Sequence, residues 1–483
     1  MGASEGIEHV VVLMLENRSF DSVLGRLYWP KDPSFEGLSG NEKNFWQSAP
    51  VPVWPSTDPG SPLTPDDPQA KIPSPDPGEL FDNMNRQLFG DPNGRNENPP
   101  PMNGFVKDYM TQNPLPPDSS AVMHCFWPSQ VPVISKLATS FGVCDQWYAS
   151  APCQTWPNRF FVHTGTSLGI VNNSDFHMPF QAPSIFARLG QCGKSWRLYF
   201  HDVPQALLLE DIWLEAPLRF RFFSTFLSDA ANGTLPNYSF IEPHYFPDLF
   251  LNRIPNDEHP PSNVYYGEEL IAAVYNAVRA SPCWKKTLLV ITYDEHGGCF
   301  DHMPPPLAQS PDGKCANPGN FKFDAYGVRV PAVIVSPYMP PGSKVRVAEG
   351  GVPFQGGPAP FDHTSIIKTL RILFNLGGKL TDRDDAAPDL LGPLSLLNPD
   401  NDGPASISIA PSKAPIPDLQ SSGSAAPNGM QKALSQMAAQ LPSSPLPAGS
   451  ATPPPAPLTA AVPNTAAQAH ANSVLQVRSF LGI

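Results

Sequence analysis

Apolar positions along the chain fall into two kinds of pattern. Ile7 to Leu15 (IEHVVVLML), Thr287 to Tyr293 (TLLVITY) and Val328 to Ser336 (VRVPAVIVS) are nearly continuous apolar runs. A strand with one face in water would alternate, so these runs predict central strands covered on both faces, the last made less regular by Pro331. Cys144 to Ala149 predicts a shorter strand just ahead of Thr155. Helical spacing governs the second kind. Val131 to Phe141 suits a helix, Gly267 to Ser281 puts Leu270, Ile271, Val274, Tyr275 and Val278 on one face, and Ser365 to Leu376 repeats the period after Thr364 as N-cap. Strands alternating with helices predict an α/β fold with a largely parallel sheet and helices on both faces.

Two stretches break these patterns. From Tyr28 to about Pro117 the chain turns to Pro, Asp, Gly and Asn with scattered aromatics, too long for a simple loop, and is expected to run over the surface as one wall of a substrate cleft. From Pro404 to His470 it is rich in Pro, Ala and Ser, a composition expected to remain disordered. Short helical patches near Gln431 to Gln440 and Ser473 to Leu481 could dock on the rest. The expected organisation is a catalytic domain over residues 1–403 and a tail over 404–483.

Composition narrows the function. The chain has 483 residues and a formal net charge of −13, with no run of Lys and Arg, which argues against nucleic acid as a partner. No stretch approaches the ~20 apolar residues of a membrane span. Met1 to Gly6 lacks the basic and apolar regions of a signal peptide, so the sequence as given reads as cytoplasmic, or as secreted or periplasmic if a leader was removed. Seven cysteines at irregular spacing, without a CxxC pair, read as free buried thiols, with one or two disulfides as the alternative.

The chemistry gathers at strand ends. Asp294-Glu295-His296-Gly297-Gly298, continuing through Asp301 and His302, directly follows an apolar strand, where the ligand crevice of an α/β sheet lies. Glu16-Asn17 follows the first strand in the same way. Together these ends supply four oxygen-bearing side chains, a set suited to a hard or borderline divalent cation, with Mg, Mn, Ca and Zn all open. Gln154-Thr155-Trp156-Pro157-Asn158-Arg159 adds a hydroxyl at a predicted helix N-terminus, where the dipole and free N–H groups favour an alkoxide and a bound phosphate. Arg159 could assist the phosphate or brace the loop.

ENRSFD at Glu16 to Asp21, TWPNR at Thr155 to Arg159, YDEHGG at Tyr293 to Gly298 with Asp301-His302, and FDHTS at Phe361 to Ser365 resemble motifs of a bacterial and plant phosphoesterase family. That family includes phosphatidylcholine-preferring and non-specific phospholipases C and related acid phosphatases. The resemblance spans about residues 7–376. It implies an alkaline-phosphatase-like fold and one divalent metal ion, held by Glu16, Asn17, Asp294, Glu295 and the nucleophile Thr155. It also implies a phosphate-ester or phospholipid substrate, cleaved through a covalent phosphothreonine.

Histidines form a second tier. His259, in Asn256-Asp257-Glu258-His259-Pro260, matches a family histidine near the leaving group, where an imidazole could protonate a departing alkoxide. His201 and His244 lie in segments resembling the family's pocket walls. His296, His302 and His363 could orient carboxylates, and His9 and His470 read as structural or idle. A broad phosphomonoesterase of acid-phosphatase type is the closest rival function. A sulfatase is disfavoured because Thr155 cannot become the required aldehyde and Cys153 lacks the C-x-P-x-R context; an inactive surface-binding module is disfavoured by the complete set of metal and nucleophile positions.

Overall fold

A computed structural model describes residues 6–30, 32–92, 98–316, 320–347, 358–409, 416–443, 456–457 and 461–483. Its centre is an eight-stranded sheet. In chain order the strands are β1 (His9–Leu15), β2 (Gly142–Val143), β3 (Trp196–Phe200), β4 (Phe220–Phe222), β5 (Tyr238–Ile241), β6 (Thr287–Tyr293), β7 (Ala332–Val335) and β8 (Ser343–Lys344). Across the sheet they run β8-β2-β7-β6-β1-β5-β3-β4. From β6 through β1, β5 and β3 to β4 every pairing is parallel, and β7 is antiparallel to both of its neighbours. The sheet is therefore mixed and largely parallel, as the alternation of strands and helices predicts.

Every residue of β6, and every residue of β1 after His9, is buried. Successive side chains of a strand point to opposite faces, so both faces are covered here, which is why these two segments read as unbroken apolar runs. The helices α1 (Pro132–Ser140), α2 (Thr155–Thr164), α3 (Val264–Ala280) and α4 (Thr364–Phe374) supply much of that cover, α3 packing on β1, β6 and α1, and α4 on α2. Thr364 is not the cap of α4. His363 holds that place, and Thr364 is the first helical residue, its hydroxyl donating to Asp362 Oδ1 at 2.6 Å. The expected strand at Cys144 to Ala149 is reduced to Trp147–Tyr148, which pairs with Phe361–Asp362.

The tail departs from expectation. Its described parts form α5 (Ile416–Ser424), α6 (Gly429–Gln440) and α7 (Ala466–Leu481). Met430, Leu434, Met437, Val477, Phe480 and Leu481 are buried in the same hydrophobic core as the sheet. Gln431 Nε2 donates to the Tyr245 carbonyl at 2.8 Å, and Phe480 meets Trp213 edge-on at 5.7 Å. Alanine-rich helices need few large residues to bury a face when a groove is ready to receive them, and composition alone hides that. Residues 410–415, 444–455 and 458–460 of the tail lie outside the described set. All seven cysteines are free; five are buried, and Cys192 and Cys315 are exposed. Among the described residues no helix is long and apolar enough to cross a membrane.

Candidate active site

Strand register brings the two carboxylate-bearing ends together. β1 and β6 run parallel with Leu15 opposite Tyr293, so the next residues, Glu16 and Asp294, emerge side by side. The chain then turns sharply. Asn17 adopts a left-handed conformation at φ 53°, which asparagine tolerates, and its N–H donates to Asp294 Oδ1 at 2.9 Å. Gly297, at φ 59°, lies so close beneath this turn that a Cβ there would fall 2.2 Å from the Asn17 carbonyl oxygen. The Glu295 carboxylate accepts the Gly297 N–H at 2.8 Å, so the second turn is tied by its own side chain.

Thr155 opens α2, with Gln154 as N-cap. Its hydroxyl lies 3.3 Å from Asn17 Oδ1 and 3.4 Å from Glu16 Oε2, long approaches for O–H···O bonds. The helix end offers less to an anion than the sequence suggests. The Trp156 N–H is already taken by Asn173 Oδ1 at 3.0 Å, and the Asn158 N–H by the Gln154 carbonyl. Arg159, one turn along, points to the carboxylates: Nη2 meets Glu16 Oε1 at 2.5 Å and Nε lies 3.7 Å from Asp294 Oδ2. Glu16 Oε1 also accepts from Gln205 Nε2 at 2.7 Å. The arginine thus braces Glu16, while its Nε and Nη1 have no hydrogen-bond partner among the described residues.

The phosphoesterase family matches residues 7–377 of the sequence. The chain belongs to that family. Non-specific phospholipase C3 of Arabidopsis thaliana is 36% identical over 422 residues, covering 84% of this chain and 76% of the plant protein. The non-hemolytic phospholipase C of Burkholderia pseudomallei (strain K96243) is 27% identical, with 77% and 56% covered. Among solved structures, a protein in the alkaline phosphatase superfamily from Vibrio parahaemolyticus is 12% identical with a TM-score of 0.29, covering 54% of this chain and 63% of that one. The family match makes the chain a hydrolase acting on phosphoric ester bonds.

Charge at the site favours a bound cation. Glu16, Asp294 and Glu295 are fully buried, and Asp294 Oδ2 and Glu295 Oε1 have no hydrogen-bond partner among the described residues. Burial pushes the Glu16 carboxyl well above its ordinary range against the opposing pull of Arg159, with Asp294 adding to the rise. Burial, then Glu79 and Asp294, do the same to Glu295. Arg159 pairs with two of the three, Glu16 and Asp294. A divalent ion would satisfy the orphaned oxygens and the surplus charge together, so the donor set fits one.

The long surface excursion does reach this site, and it brings residues the sequence did not single out. Glu79 Oε1 accepts from Asn17 Nδ2 at 2.6 Å and lies 3.3 Å from His259 Nε2; Asp76 lies 3.8 Å from His259 Nδ1. Burial opposes the charged form of His259, but Glu79 and Asp76 outweigh it and hold the imidazole well above its usual range. Pro and Gly around Asp76 and Glu79 gave no periodic signal by which either carboxylate could have been found. Of the other histidines, His363 hangs on the active loop, its Nδ1 accepting from Trp147 at 3.3 Å and its Nε2 donating to the Asp294 carbonyl at 2.6 Å. His296 lies 3.3 Å from Glu295 Oε2 and bonds Gln87 Oε1 at 2.7 Å.

His302 and Asp301 stand apart. Asp301 and Asp21 pair with the buried Arg329 and His302 pairs with Asp21, a cluster separate from the Thr155 hydroxyl's partners Glu16 and Asn17. His201 and His244 belong to a third group. His201 Nδ1 bonds the Glu242 carbonyl at 2.8 Å, and its ring lies 6.4 Å from that of His244. The Glu242 carboxylate accepts the Gln205 N–H at 2.7 Å, and Gln205 Nε2 in turn donates to Glu16, so His201 reaches Thr155 through Glu242, Gln205 and Glu16 and not directly.

Proposed function

We propose that the protein is a metal-dependent phospholipase C-like phosphoesterase, cleaving a phospholipid or related phosphate ester through a phosphothreonine at Thr155. The observation that carries this reading is the placing of a buried hydroxyl, at the start of α2, against the side-chain oxygens of Glu16 and Asn17. The names of the relatives supply the substrate class. Glu16, Asn17, Asp294, Glu295 and Thr155 would hold one divalent ion, which would lend Lewis acidity to the phosphoryl oxygens and favour the alkoxide.

The chain's own groups act in sequence. Thr155 Oγ1 attacks phosphorus and gives its proton toward Glu16 Oε2, while the unpartnered Nε and Nη1 of Arg159 are available to a phosphoryl oxygen as its charge grows. His259, held as imidazolium by Glu79 and Asp76, donates a proton to the departing alcohol and becomes the base that receives a proton from water in the second step. Water then cleaves the phosphothreonine, its proton passing to His259 while the proton held at Glu16 Oε2 returns to Thr155 Oγ1 as the P–O bond to threonine breaks. With a phospholipid the products are diacylglycerol and a phosphorylated head group. His201 and His244 shape the pocket wall behind Gln205 in this reading.

Thr155→Ser, which keeps the hydroxyl, should retain part of the activity, and Thr155→Val, nearly equal to threonine in volume but without the oxygen, should retain nearly none. Acid quenching during turnover should trap phosphate on the peptide containing residue 155 in the wild type and none in the Val variant. Phosphate trapped on another residue, or normal turnover by the Val variant, would remove Thr155 from the mechanism. A phosphocholine ester compared with p-nitrophenyl phosphate decides between diesterase and monoesterase preference.

A further inference from the structure

Apart from the metal and nucleophile positions just described, a second group of ligands, two buried and one partly buried, takes no part in the proton and phosphoryl transfers. Asp202 follows β3 and His244 follows β5, so both sit at the carboxyl ends of adjacent parallel strands. The third member, His470, comes from the C-terminal helix α7. One ligand atom from each of the three lies within 4.8 Å of the others.

The contacts here are those of convergent ligands more than of a hydrogen-bonded pair. His244 Nδ1 approaches Asp202 Oδ2 to 3.1 Å with both side chains nearly inaccessible to solvent, yet alignment is too poor for a hydrogen bond, and His244 Nε2 has no hydrogen-bond partner among the described residues either. Two ligands at ~2.0 Å from one tetrahedral zinc ion stand about 3.3 Å apart, close to the observed separation. A closure of roughly 1.5 Å would bring the third ligand to the same spacing. His470 lies on a partly exposed helix and its ring stands nearly perpendicular to that of His244, at 5.7 Å. The carboxylate is fixed in advance: the N–H groups of Val203, Tyr245 and Phe246 all donate to Asp202, which orients it as a surrounding shell orients metal ligands.

We infer that Asp202, His244 and His470 form a binding site for a zinc-class divalent cation that clips the C-terminal helix to the catalytic domain. Two imidazoles and one carboxylate are a donor set zinc accepts, leaving a fourth position for water. The ion joins α7 to the loops after β3 and β5, which otherwise meet it through side-chain packing alone at this point. It has no contact with Thr155.

The test uses the full-length protein, stripped with chelator and reloaded with zinc alone, and then with cobalt as a spectroscopic probe. Wild type should bind about two equivalents, His470→Gln about one, and only the wild type should gain an extra rise in thermal midpoint from the second equivalent. Cobalt at this site should give the intense visible band of a tetrahedral centre, which His470→Gln loses and Asp294→Asn retains. Asp202→Asn, with the carboxylate charge removed and the amide oxygen retained, should weaken the same equivalent. Equal zinc stoichiometry and equal thermal gain in wild type and His470→Gln would overturn the inference. If only one equivalent binds and Asp294→Asn abolishes it, this clip is absent and the catalytic reading stands. If the single equivalent survives Asp294→Asn and is lost in His470→Gln, the clip stands and the catalytic metal reading fails.

Discussion

Replacing Arg329 by Met tests how the motif loops are held. Arg329 is fully buried and spends its whole guanidinium: Nε on Asp301 Oδ1 at 3.0 Å, Nη2 on Asp21 Oδ1 at 3.0 Å, and Nη1 on the carbonyls of Glu36 and Asp145 at 2.8 and 2.9 Å. It also lies 4.5 Å over the Phe20 ring. Methionine keeps most of the stem's packing and deletes the charge. Asp301, with no solvent exposure, is then left without its guanidinium partner and Asp21 keeps only His302, a loss of about 3–5 kcal/mol. The loss is limited because Asp301 can take up a proton, burial and the facing Asp21 having already raised it to about 6 against the pull of Arg329. Arg329→Lys keeps the charge but not the fork, so it should lose less, about 1.5–3 kcal/mol. Urea unfolding at pH 7 followed by tryptophan fluorescence reads both. Adding Asp301→Asn to Arg329→Met should cost less than the sum of the singles, because the orphaned charge is gone. A loss below about 1 kcal/mol for Arg329→Met, or full additivity with Asp301→Asn, would refute the argument.

Acid should destabilise the fold through His124 and His163, which burial, aided by nearby arginines, pushes down to about 3. Each stays neutral in the folded state while the unfolded chain takes a proton below its ordinary value near 6.5, so stability is full above that value and falls as pH drops toward 3; each group costs about 1.4 kcal/mol at pH 5.5. A combined His124→Leu, His163→Leu variant should have a flatter unfolding-stability profile between pH 7 and 5, and an unchanged slope would discount both residues. Gly297→Ala should lose tight metal binding and turnover, since its Cβ collides with the Asn17 carbonyl at a positive φ; retention of both would show that the turn can relax. Truncation after Ser406 should lower the thermal midpoint and raise hydrophobic dye binding, because Met430, Leu434, Met437, Val477, Phe480 and Leu481 each contribute roughly 1.5–3 kcal/mol of burial before the ordering cost of the tail is counted. An unchanged midpoint would mean the tail helices add no stability.

Much of this protein was legible without its tertiary structure, and for local reasons. A strand covered on both faces must be apolar along its whole length, so β1 and β6 announce themselves, and polar residues at their carboxyl ends mark the place where an α/β sheet binds ligands. Glu16, Asn17, Asp294, Glu295 and Thr155 follow from that rule and from the motif resemblance. Helix periodicity located α1, α3 and α4 to within a few residues. Other features depended on which distant segments met. Glu79 and Asp76 reach His259 only through the path of an aperiodic excursion, and the pairing of Asp301 with Arg329 separates it from the carboxylates a few residues before it. The tail shows the limit most plainly. Its composition measures how little apolar surface it carries, whereas packing depends on whether a complementary surface awaits it, and residues near Trp213, Phe222 and Tyr245 provide one. The same contact turns His470, an unremarkable residue in a Pro/Ala-rich stretch, into a neighbour of His244 and Asp202, because proximity across more than two hundred residues is a property of the folded chain and not of the sequence pattern.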